Sequence, residues 1–66
     1  MNSEELKGKW KQLKGSAQSK WAELSDDEID QVEGDRKQLV GKIQEKYGRT
    51  KEEVEQEVDA WMSKAS

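Results

Sequence analysis

Cysteine, histidine, proline and phenylalanine are all absent from this 66-residue chain. Without cysteine there is no disulfide to staple a small domain, and without cysteine and histidine there is no Cys/His zinc site. The lack of cysteine also fits a reducing compartment. Nucleophilic catalysis loses its thiol, and general acid–base work loses its imidazole. Long hydrophobic runs are missing too. Apolar residues make up 30% of the chain, and no run of them exceeds three. Nothing is long enough to span a bilayer. The opening Met1-Asn2-Ser3-Glu4-Glu5 has neither the basic nor the apolar region of a signal peptide. The expected location is the cytoplasm, and the expected organisation is one small domain over residues 1–66.

What the chain does have is charge. Charged residues are 41% of the total, yet 12 basic against 15 acidic residues leave only −3. Disorder normally combines low hydrophobicity with high net charge. Only the first condition holds, so a folded domain of low stability is expected.

Good helix formers dominate, and the apolar spacing has the helical period. Leu6, Trp10, Leu13, Ala17, Trp21 and Leu24 recur every three or four residues. Leu39, Val40, Ile43 and Tyr47 share one face, as do Val54, Val58, Trp61, Met62 and Ala65. Asn2 with Glu5, Ser25 with Glu28, and Thr50 with Glu53 have the spacing of capping boxes. Gly48 after Tyr47 suits a left-handed helix end, and Gly15 and Gly34 mark further breaks. These signals predict helices over 3–14, 16–24, 26–33, 35–47 and 51–64.

The string Gly8-Lys9-Trp10-x4-Gly15 reappears as Gly41-Lys42-Ile43-x4-Gly48, offset by 33 residues, half the chain. The same offset pairs Leu6 with Leu39 and Trp21 with Val54. An approximate duplication is expected, giving an all-α bundle of four to five short helices arranged as two packed helical hairpins. Gly8 and Gly41 are then equivalent helix-interior positions, and both are expected at close helix crossings. Charge alternates in blocks. Residues 7–20 are basic, 21–35 acidic, 36–51 basic and 52–59 acidic. Such blocks suit pairing between helices, especially 35–47 against 51–64, and predict sensitivity to salt.

Candidate sites are few. Asp26-Asp27-Glu28-Ile29-Asp30 is acidic, but a calcium loop begun at Asp26 needs Gly where Gln31 stands and Glu where Lys37 stands. An acidic first helical turn is the better account. Lys7, Lys11 and Lys14 beside Trp10 and Trp21 form the one arrangement suited to phosphates and bases. Both Trp sit on the apolar stripe, however, and the net charge is negative, so core packing is preferred. A membrane-surface role for the same helix is weakened by Gly8 and Gly15. Gly34, Gly41 and Gly48 lack the Lys-Ser/Thr of a phosphate loop. Tyr47 is expected at a helix end with its hydroxyl at the rim of the core. No catalytic, cofactor-binding or metal-binding residue is assigned. The carboxylates lie on polar faces with no pocket to shift a pKa.

The segment Glu33-Gly34 followed by Gln38-Leu39-Val40-Gly41-Lys42-Ile43-Gln44-Glu45-Lys46-Tyr47-Gly48 resembles the CsbD-like family of small bacterial stress proteins. Trp10-Lys11-Gln12-Leu13-Lys14-Gly15 is similar to the family's N-terminal motif. Trp21 with Leu24-Ser25-Asp26-Asp27 is similar to its central turn. Glu53, Glu57-Val58 and Trp61 resemble its closing helix. One departure is Ser25, where Thr is more usual, and either residue caps a helix. The resemblance implies two packed helical hairpins similar to a SAM-domain bundle. It also implies a bacterial cytoplasmic protein made under general stress or in stationary phase. It brings no established biochemical activity to any residue. The expectation is a small, soluble, non-enzymatic stress protein, a hydrophilic protectant against osmotic, desiccation or stationary-phase stress. The alternative is a helical interaction module for a protein or nucleic-acid partner. No partner or cofactor is named by the residues, and a monomer or weak homodimer is expected.

Overall fold

The caps place the helices. In the computed structural model, which describes residues 1–65, the Asn2 side chain accepts the Glu5 N–H at 2.8 Å and opens α1, Ser3–Gly8. Helix α2 is Trp10–Lys20 and α3 is Asp26–Val32. Ser25 opens α3 with a complete capping box. Its Oγ accepts from Glu28 N–H at 3.2 Å, and its own N–H donates to Glu28 Oε1 at 3.1 Å. Helix α4 is Arg36–Tyr47 and α5 is Lys51–Ala65. Thr50 and Glu53 form the same reciprocal pair before α5, each backbone N–H bonding the other's side chain at 3.2 Å. An additional cap is Asp35, whose Oδ1 accepts from the Lys37 and Gln38 N–H groups.

The described residues form five helices and no strand, within the expected all-α bundle of four to five. Two boundaries differ from the expected ones. The first break falls at Lys9 (φ −106°, ψ 8°), and the helix runs straight through Gly15. Lys9 N–H still reaches the Glu5 carbonyl, and the Lys9 carbonyl already accepts from Gln12 and Leu13. The join is therefore a kink following Gly8 rather than a loop. The second helix was expected to reach residue 24, but α2 stops at Lys20. Trp21 leaves the helix at φ −120°, ψ 72°, and Leu24 N–H turns back to its carbonyl at 3.0 Å. Both side chains bury from this turn, so their helix-like spacing reports core contact rather than helix.

The described core contains residues from all five helices and the Trp21–Leu24 turn: Leu6, Trp10, Ala17, Trp21 and Leu24, then Ile29, Val32, Leu39, Val40 and Ile43, and finally Val54, Val58, Trp61 and Met62. Ala65, the last position of the α5 stripe, has its side chain outside the described residues. Helices α2 and α3 form one hairpin, and α4 and α5 the other. Helix α5 returns to α2 through Trp61. The radius of gyration is 10.5 Å, against about 11 Å for a compact chain of this length.

The 33-residue offset pairs buried positions but not boundaries. Leu6 and Leu39, Trp10 and Ile43, and Trp21 and Val54 are all in the core. Gly8 ends α1, however, while Gly41 is interior to α4; Gly15 is interior to α2, while Gly48 is a left-handed cap at φ 64°. Nor do Gly8 and Gly41 mark close crossings. A Cβ at either would meet nothing within 4 Å. The close approach is at Gly34, at φ 79°, where a Cβ would lie 2.6 Å from Lys7 Cα and 2.8 Å from the Leu6 carbonyl oxygen. Gly34 and Glu33, also left-handed at φ 52°, turn the chain between α3 and α4 against the backbone of α1.

Candidate functional site

The three indoles form the most specific constellation. Trp61 meets Trp21 edge-on at 5.3 Å between ring centroids and 69°, and Trp10 at 6.4 Å and 81°. Such edge-to-face pairs add to the area they bury. Trp61 Nε1–H donates to Ser16 Oγ at 2.9 Å, tying α5 to α2. Trp10 Nε1–H donates to the Ile29 carbonyl at 3.0 Å. That carbonyl lies in the last turn of α3, where Glu33 N–H goes to Asp30 instead. The indole thus caps an otherwise orphaned helix-end acceptor. Gln18 Nε2 does the same for the Leu24 carbonyl in the turn.

These rings are not a binding face. Trp10 and Trp61 are 6% exposed and Trp21 is 1% exposed, and among the described residues no large hydrophobic side chain is exposed. Lys7, Lys11 and Lys14, which the sequence reading sets below core packing as a nucleic-acid patch, have different surroundings. Lys14 is ion-paired with Asp30 on α3. Lys7 faces the start of α4, in a hollow shared with Arg36 and Lys37. On α1 and α2, Leu6, Trp10 and Ala17 face the core.

The acidic run opens α3, with Asp26, Asp27 and Glu28 in its first turn, and it works with the cap and with neighbouring bases. The Ser25 backbone N–H and, behind it, the Lys46 ammonium at 3.2 Å hold the Glu28 carboxyl below its ordinary range. The Thr50 hydroxyl and N–H do the same for Glu53. Arg49 grips both Glu57 oxygens at 2.6 Å, which raises its pKa, and its guanidinium lies 5.1 Å from the centre of the Tyr47 ring. Tyr47 sits half-buried at the end of α4, and its hydroxyl accepts Glu23 N–H at 3.2 Å. The charge blocks pair between helices as expected. Arg36 reaches Asp59 at 2.8 Å and Glu55 at 3.7 Å across the α4–α5 hairpin. Each shifted group has a structural partner, so the shifts follow from capping and pairing.

A concavity that the sequence reading does not anticipate lies on the α4–α5 face. It is about 410 Å³, floored by Val40 and Gly41 and rimmed by Arg36, Lys37 and Lys51. Its signal was present: a helix-interior glycine one turn after Lys37. Gly41 was instead read as a crossing.

A family model described as CsbD-like matches residues 4–56. UPF0337 protein YjbJ of Escherichia coli O6:H1 is 52% identical over 61 residues, covering 92% of this chain and 88% of its own. UPF0337 protein PA4738 of Pseudomonas aeruginosa is 52% identical over 58 residues, 88% of this chain and 89% of its own. UPF0337 protein RPA4217 of Rhodopseudomonas palustris is 46% identical over 63 residues, 96% of each chain. No solved structure matches the chain. Matched along most of its length by the family model, and identical to these relatives at about half of the aligned positions, the chain belongs to the CsbD-like family.

Proposed function

We propose that this chain is a non-enzymatic, cytoplasmic bacterial stress protein that acts as a hydrophilic protectant. The observation that carries the reading is the surface. Charged residues are 41% of the chain, its mean hydropathy is −1.28, and no large apolar side chain is exposed among the described residues. Charged side chains hold water strongly, and a surface without apolar patches does not adhere to unfolding neighbours. At high abundance such a particle separates aggregation-prone molecules as water is withdrawn. Membership of a family of small stress proteins supports the same reading. So does the tie between each shifted pKa and a cap or ion pair.

The test is to dry or freeze a labile enzyme with this protein, or with an unrelated helical domain of similar size and charge. The expected outcome is greater recovery of activity with this protein, rising with its mass concentration. Equal recovery with both would refute the proposal.

A further inference from the structure

The α4–α5 concavity adjoins a second one, of about 330 Å³, which is lined by Lys7 of α1; Arg36 and Lys37 line both. From these two adjoining hollows we infer a docking groove for an acidic peptide segment bearing an apolar side chain. This site is independent of the protectant reading.

Charge is the first support. Within the groove Arg36 is neutralised by Asp59 and Glu55. Asp35 is engaged with the backbone N–H groups of its own helix. Lys7, Lys37 and Lys51 remain, and among the described residues none of the three has an ion-pair partner. Elsewhere Lys9, Lys14, Lys46 and Arg49 are ion-paired and Lys42 bonds Gln31, while Lys11, Lys20 and Lys64 have no ion-pair partner among the described residues and line neither hollow. A chain with net charge −3 thus gathers unpaired cations from three helices along one groove. Opposite charge in a partner gives such a surface its selectivity and speeds encounter.

The floor is the second support. Val40 is buried, and a side chain at Gly41 would meet nothing within 4 Å. A glycine inside a helix costs about 1 kcal/mol against alanine. Here it relieves no crowding within the fold, and what it does is leave a notch over Val40. The notch accepts an apolar side chain, and the adjacent Gln44 amide can bond a peptide backbone. A nucleic acid fits less well. Single strands are held by stacking on exposed aromatic rings, and here the three Trp are in the core.

The experiment is a titration of the full chain, followed by backbone amide NMR, with a fluorescent acidic peptide carrying a central leucine. An oligonucleotide of equal charge and a basic peptide serve as comparisons. Shifts are expected at Lys7, Lys37, Gly41 and Lys51 with the acidic peptide alone, weakening as salt rises. Combined Lys37→Gln and Lys51→Gln should weaken binding about tenfold, whereas Lys20→Gln, on another face, should leave it unchanged. Gly41→Leu should abolish the preference for leucine over serine in the peptide while preserving the helical spectrum. Absence of shifts, or an equal response of the two lysine variants, would overturn the proposal. Tighter binding of the oligonucleotide would also overturn it. So would concentration-dependent shifts of the same amides without peptide, which would assign the groove to a second copy.

Discussion

Single residues carry unequal weight in a fold this small. Gly34 combines a positive φ with a backbone contact that admits no Cβ. Gly34→Ala should destabilise by about 2–4 kcal/mol in urea unfolding followed by Trp fluorescence. Gly41→Ala should stabilise by about 1 kcal/mol in the same measurement, since its space is open and alanine favours helix. The sequence places Gly34 at a break and Gly41 inside a helix, and only their surroundings show that the first admits no Cβ while the second has open space. Trp61 is the other decisive residue, because it meets both remaining indoles and bonds Ser16. Trp61→Phe should cost about 1–3 kcal/mol through the lost hydrogen bond and ring area, and should loosen α5 from α2 in hydrogen exchange. The sequence marked all three Trp as core residues by their spacing. It held no sign that Trp10 would bond a carbonyl and Trp61 a hydroxyl, because those partners lie 19 and 45 residues away.

At the scale of an element, capping decides where helices start, and it couples stability to pH. Glu28 and Glu53 hold their protons less tightly when folded than when unfolded. Their stabilisation is therefore complete above the ordinary carboxylate pKa, about pH 4.5, and is lost as pH falls through the depressed values. Glu28→Gln should be less stable than the native chain at neutral pH, and the difference should shrink on acidification below about pH 4.5. Urea unfolding at a series of pH values measures it. Ser25→Ala should cost about 1 kcal/mol. Helix starts at Ser25 and Thr50 were legible because capping is a local exchange between residues three apart. The kink at Lys9 and the early end of α2 were not. There the apolar stripe continues through the break, and burial of Trp21 from a turn preserves the helical spacing by which a helix is read.

Over the whole molecule, ion pairs between helices act on a core of few side chains. Arg36 with Asp59 and Glu55, Lys46 with Glu28, and Lys14 with Asp30 each join separate helices. Each is partly exposed and worth under about 1 kcal/mol. Added sodium chloride should therefore lower stability modestly, by about 1 kcal/mol or less, and Arg36→Gln should reduce that salt dependence. Thermal unfolding at low and high salt would show both. No helix among the described residues is long and apolar enough to cross a membrane, which agrees with the short apolar runs of the sequence.

Composition, period and caps by themselves determined that this chain folds into short helices, that Leu6, Trp10, Ala17, Trp21 and Leu24 and the stripes of the last two helices turn toward a core, and that charge blocks pair across helices. Each of these follows from local spacing or from counting. The tertiary structure alone decided which glycine is indispensable, where the first helix kinks, and how the indoles interlock. It also placed Lys7, Lys37 and Lys51 along one groove. Those outcomes depend on the approach of segments far apart in the chain, set by packing a shared core, and no local pattern encodes that approach.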